Sequence, residues 1–158
     1  MRPLYEAVVA IGRDPIWYRD GQVPDTIDGR FDMIATILAL VLIRVEQGGA
    51  ETRADSALLA ELFIADMDGN IRQLGTGDLV VGKRIGKMMG TLGGRIGAFR
   101  AAFDMGEGLE EAVSRNIFRG APPSPDANAF VAARIGRFHA ALAERLMPAI
   151  LSGDLPRA

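Results

Sequence analysis

The 158-residue sequence has no cysteine, one histidine and one tryptophan. Without cysteine there is no disulfide, no thiol nucleophile and no thiolate-ligated zinc, and the redox compartment is left open. A single histidine, His139, argues against a histidine-built metal centre or a Ser-His-Asp triad, and it reads as a structural or surface residue on the last helix. Period-2 alternation of apolar and polar residues, the mark of a half-buried strand, is also missing. Long apolar runs are few. The longest, Met33 to Ile43, is 11 residues, and a membrane span needs about 20. The N-terminal stretch "MRPLYEAVVAIGRD" is broken by Glu6 and lacks a small-residue cleavage site, so it reads as a first helix and not as a signal peptide. These readings predict a cytoplasmic chain, peripheral to a membrane at most. With 49% apolar residues, 24% charged residues and a net charge of -2, the chain has the balance of one globular domain and not of a general nucleic-acid binder.

What is present is helical periodicity. Leu4, Val8 and Ile11 predict a first helix over Leu4–Ile11. Gly12 to Gly21, with Pro15, reads as a break carrying Trp17. A long helix follows "VPDTIDGR" and stops at "EQGG"; it is apolar nearly all round and is therefore central. Asp55 or Ser56 is placed to start the next helix, with Leu59, Phe63, Met67, Ile71 and Leu74 as its inner stripe. Asp78 can cap a helix reaching about Phe103, and Leu109–Phe118 is a short one. Ser124 and Pro125 then open a last helix with Val131, Ile135, Phe138, Leu142 and Leu146 on one face. The expected fold is all-α, one compact domain over residues 1–158 of about six helices without a sheet.

Two motifs are near-misses. "GTGDLVVGKR" runs Gly77, four residues, Gly82, Lys83, as a phosphate loop does. Arg84 stands where the metal-holding hydroxyl belongs, and no strand precedes it. "DMDGN" resembles half a calcium loop, but Ile71 and Gly77 occupy its glycine and glutamate positions. Asp25, Asp28 and Asp32 can approach one face of a helix start. They read either as favourable charge at a helix N-terminus or as a metal-binding or catalytic carboxylate set.

The segment after "GTGD" is unusual. Gly82, Gly86, Gly90 and Gly94 recur every four residues, with Gly93 and Gly97 added. Each glycine inside a helix costs about 1 kcal/mol relative to alanine. Tight packing against another helix is the simpler expectation; local looseness is the other. The segment is also basic. Lys83, Arg84 and Lys87 are expected either to pair with Asp66, Asp68 or Asp28 or to meet anionic headgroups or an acidic partner. Met88 and Met89 add adaptable apolar surface beside them.

"VPDTIDGRFD", then "LFIADMD", then "IRQLGTGDLVVGKRIGKM" resembles the ubiquinol–cytochrome c chaperone family in its alphaproteobacterial form. The resemblance runs over a core at residues 4–100 and is most specific from Asp66 to Arg84; C-terminal helices at 107–147 and a tail at 152–158 rest on periodicity. The glycines of "KRIGKMMGTLGGRIGAF" stand where relatives carry larger residues. The resemblance implies an all-helical assembly chaperone of the cytochrome bc complex, neither an enzyme nor dependent on a cofactor or metal. Its client would be newly made cytochrome b or another apolar subunit. A small assembly partner, the ribosome exit region and the cytoplasmic face of the inner membrane are its implied neighbours, with no specific nucleic acid. Lys83, Arg84, Lys87, Met88 and Met89 would then meet the client or partner, and Asp25, Asp28, Arg30, Asp66, Asp68 and Asp78 would form the motif's ion-pair network. The alternative is a small-ligand-binding protein or metal-dependent enzyme using Asp25, Asp28 and Asp32.

Overall fold

The computed structural model of the chain describes residues 1–73 and 78–158; the side chains at 68, 70–73 and 78–85 lie outside the description as well. All regular structure among the described residues is helical. The elements are α1 (Arg2–Gly12), α2 (Pro15–Arg19), α3 (Ile27–Glu46), a 3-10 turn (Gly49–Thr52), α4 (Arg53–Gln73), α5 (Asp78–Met105), α6 (Leu109–Asn116), α7 (Pro125–Ala143) and α8 (Met147–Ser152).

α3 is the axis of the fold. Thr26 caps it, its hydroxyl accepting from the Gly29 N–H at 3.1 Å, and Asp28 lies in its first turn. Every residue from Met33 to Ile43 is buried. Burial on all sides follows from neighbours on all sides: α1 and α5 pack along α3 most extensively, and α4 and α7 complete the wall. α1 comes especially close. A Cβ on Gly12 would stand 2.9 Å from the Ile34 Cα, so only glycine allows that separation. At the far end, Arg44 donates to the carbonyls of Leu142 at 3.1 Å and Arg145 at 2.9 Å, tying α3 to the last turn of α7 and the residues just past it.

Several boundaries differ from the sequence expectation. The break expected from Gly12 to Gly21 contains α2. Asp14 caps it, accepting from Ile16 N–H at 2.9 Å, and Pro15 takes the first turn. The residues read as breakers are start signals for a helix too short to show periodicity. α2 buries Trp17 completely, and the indole N–H donates to the Ile11 carbonyl at 2.8 Å. α4 begins at Arg53, ahead of Asp55 and Ser56, because the 3-10 turn leads straight into it. Leu146 is not on the face of α7. It lies between α7 and α8 and is 76% exposed. The N-cap of α7 is as expected, with Ser124 accepting from Ala127 N–H at 3.0 Å.

The two near-miss motifs resolve structurally. "DMDGN" lies inside α4, so it forms no calcium loop. Gly75 to Gly77 of the phosphate-loop-like stretch fall outside the described residues; the described residues before them are the helix α4, not a strand, and Asp78 onward is helical. Among the described residues, no helix is long and apolar enough to cross a membrane.

Candidate functional site

The carboxylates at the start of α3 all meet arginine. Asp25 Oδ1 accepts from Arg30 Nε at 2.6 Å on the open surface, and this contact holds its carboxyl below the usual range. Asp28 and Asp32 face the other way. Asp28 accepts from Arg119 Nη1 at 2.9 Å, and Asp32 Oδ2 accepts from Arg119 Nε at 2.8 Å. Asp32 Oδ1 accepts from Arg95 Nη2, which also donates to the Asn116 carbonyl at 2.8 Å. Asp32 and Arg95 are both buried, and the Arg95 guanidinium stands 5.7 Å over the Phe31 ring. Burial lowers the Arg95 pKa, while the bond to Asp32 raises that of Arg119. Two carboxylates and two guanidiniums thus form a charge-balanced cluster joining α3, α5 and the turn after α6. Each of the three carboxylates is engaged by a guanidinium, and among the described residues no three acidic or histidine side chains assemble as metal ligands.

Asp66, on α4, is part of a different contact. It accepts from the Tyr5 hydroxyl at 2.7 Å, tying α1 to α4. Burial first, then the carboxylate, raises the Tyr5 pKa far above its ordinary value. An open cleft of ≈ 650 Å³ lies along this seam, lined by Tyr5, Val9, Arg13, Leu62 and Asp66 among others. A second cleft of ≈ 570 Å³ shares Arg13 and is lined by Tyr18, Asp25 and Arg30. Tyr18 donates to the Gly12 carbonyl at 2.7 Å, and burial pushes its pKa up to about 12. The acidic residues of the motif are therefore distributed over separate contacts: Asp25 with Arg30, Asp28 with Arg119, Asp66 with Tyr5. The side chains of Asp68 and Asp78 lie outside the described residues.

α5 has two faces of opposite character. Met88, Leu92, Arg95, Phe99 and Ala102 are buried. Gly86, Gly90, Gly93, Gly94 and Gly97 are exposed, and a Cβ on any of them would meet no atom within 4 Å. Tight internal packing therefore does not explain these glycines; their face is open. Met89 is 45% exposed beside them, whereas Met88 turns into the core and offers no surface. Lys87 is exposed and makes no ion pair with a described residue; Lys83 and Arg84 precede it on the helix, with side chains outside the description. Asp28, one of the acids expected to pair with these cations, is bonded to Arg119.

The family model described as ubiquinol–cytochrome C chaperone matches residues 19–156. The chain belongs to this family. The match takes in α6 to α8, which lie beyond the quoted motifs. The fold of this chaperone agrees with the crystal structure of the Cbp3 homolog from Brucella abortus, with a TM-score of 0.86 and 32% sequence identity over 99% of this chain and 87% of that one. No curated protein matches. The chain is thus an all-helical chaperone for assembly of the cytochrome bc complex, ubiquinol–cytochrome c reductase.

Two residues central to this arrangement carry weak sequence signals. Arg95 interrupts an otherwise apolar seam spaced four, three, four and three, a periodic position where a charge requires a buried partner. Arg119 sits in an irregular turn at φ 55, far in sequence from Asp28 and Asp32, and no local pattern pairs them.

Proposed function

We propose that this chaperone holds newly made cytochrome b, or a comparably apolar subunit of the complex, through the open face of α5. The observation that carries the reading is the set of five glycines with nothing over them, beside exposed Met89 and Lys87. A row without side chains lets another helix approach closely, as small residues do where transmembrane helices meet. A thioether can repack against varied neighbours. Lys83, Arg84 and Lys87 on the preceding turns would meet acidic groups of the client, of a small assembly partner, or of lipid headgroups at the cytoplasmic face of the inner membrane. The ribosome exit region is the natural place for a first encounter, because an apolar client needs cover as it emerges. Holding a client involves no covalent step. The carboxylates that an enzymatic reading would use, Asp25, Asp28 and Asp32, are each bound to arginine, and the reading calls on no cofactor, metal or nucleic acid.

The test is genetic and direct. Deleting the gene in its host should lower mature cytochrome b and cytochrome bc activity and spare other respiratory enzymes. Complementation with Gly90→Leu and Gly94→Leu together should fail to restore cytochrome b although the protein accumulates. Full rescue by that variant would remove the α5 face from the reading, and a normal cytochrome b spectrum in the deletion strain would remove cytochrome b as the client.

A further inference from the structure

α5 is held on α3 by a seam that alternates apolar residues with one buried charge, and by an exposed ion pair between Arg100 and Glu46 at the end of α3. Hydrophobic contact is not directional, so Met88, Leu92, Phe99 and Ala102 alone would allow the helix to turn or slide on α3. The outer face does little to resist. Between the exposed charges Lys87 and Arg100, the outer face of α5 carries Gly90, Gly93, Gly94 and Gly97, with Gly86 just before them. A glycine face is as easily packed as exposed, so the binary pattern that normally fixes a helix's rotation is weak here.

Arg95 has no such tolerance. It is 4% exposed, and its partner Asp32 is 2% exposed. Guanidinium–carboxylate bonds demand a particular distance and angle. Asp32 is itself fixed, since Arg119 Nε holds its second oxygen at 2.8 Å and Arg119 Nη1 bonds Asp28 at 2.9 Å. The Asn116 carbonyl and the Phe31 ring bound the guanidinium from other sides. A rotation of α5 by one residue, about 100°, or a slide of one turn, about 5.4 Å, would carry Arg95 out of reach of Asp32 and leave the buried carboxylate with Arg119 alone.

We infer that the Arg95–Asp32 pair is a register pin, which fixes the rotation and axial position of α5 on α3 and thereby keeps the glycine face and Met89 outward. Buried polar pairs are best attested in this role of selecting one packing among near-equals. Arg119 is the positioning residue for Asp32. The pin stands on geometry alone; its use in presenting a client surface rests on the reading proposed above.

The absence of cysteine makes the test clean. Single cysteines are placed at Gly90, on the open face, and at Ala102, in the seam, and native-state thiol modification rates are compared. With the pin intact, position 90 should react faster than position 102 by about a hundredfold or more, because a buried site reacts only through local opening. In the Asp32→Leu/Arg95→Met double variant, apolar replacement should retain helical content by circular dichroism, and the rate ratio should fall by about tenfold. An unchanged ratio in the folded double variant overturns the inference, since packing alone would then set the register. If the double variant does not fold, Arg95→Met alone, which removes the donor and leaves Asp32 bonded to Arg119, is read the same way, and a ratio within about twofold of the parent's overturns it. Capture of detergent-solubilised cytochrome b by the same variants separates the two readings. A lowered ratio with capture intact would refute the α5 client surface and leave the pin; an unchanged ratio would refute the pin whatever the capture.

Discussion

The His139 imidazole lies flat on the Phe103 ring, with centroids 3.6 Å apart and planes 5° from parallel, joining α7 to the end of α5. Burial lowers the His139 pKa from its ordinary 6.5, against a smaller opposing effect from Asp104. A histidine with a depressed folded pKa takes its proton more readily in the unfolded chain. Stability is therefore full above pH 6.5 and declines as pH falls through that value toward the lower folded pKa. The melting temperature should drop between pH 7.5 and 5.5, and His139→Phe should flatten that dependence. Parallel curves for the two proteins would show that other groups set the acid response.

Phe99 is fully buried in the α5 seam. Phe99→Ala should cost about 3–5 kcal/mol from lost transfer energy and the cavity left behind. For a domain of this size that is a fall of roughly 6–20 °C in melting temperature. A loss under about 1 kcal/mol would mean that α5 contributes little to the cooperative core.

Tyr5→Phe removes the hydroxyl that donates to Asp66 without changing packing. The loss should be about 1.5–3 kcal/mol, as for a hydrogen bond to a charged acceptor. It should move the urea midpoint and leave the m-value alone. No shift would mean that water replaces the tyrosine at Asp66 without penalty.

The open glycines separate stability from function. A methyl at Gly90 or Gly94 meets nothing. Gly90→Ala and Gly94→Ala should each raise stability by about 0.4–1 kcal/mol through the unfolded chain's lost freedom. If that face receives a client helix, the same changes should weaken client capture. Stabilisation with undiminished capture would leave the glycines without a role in binding.

If Lys83, Arg84 and Lys87 serve the client as proposed, reversing them to glutamate should leave stability within about 0.5 kcal/mol. Association with client or partner should weaken, and the parent's association should weaken with added salt. A large loss of stability, measured by thermal melting, would place these charges in internal pairs instead.

The interior of the fold was legible where periodicity was long. Met33 to Ile43 marked α3 as central because a helix apolar on every side must have neighbours on every side. Ser124–Pro125 marked the start of α7 because both residues act locally. α2 and α8 were not legible, at five and six residues each, since neither completes enough turns to show a stripe. The motif residues were legible as a family resemblance, but not their partners. "VPDTIDGRFD" contains Asp25 and Arg30, which pair within the motif. It also contains Asp28 and Asp32, whose arginines come from positions 63 to 91 residues away.

The sequence by itself determined an all-helical chain built on one apolar axis, without cysteine chemistry, and carrying the quoted motifs of its chaperone family. These depend on composition, local capping and the 3.6-residue period, all of which are written along the chain. Only the tertiary structure decided which way α5 turns. Its glycines could line a packed interface or an open face, and the sequence permits both because glycine has no side chain to prefer water or core. The choice is made by Arg95, which must find Asp32. Once that buried charge is paired, Met88 points inward, Met89 points outward, and the glycine row is left open.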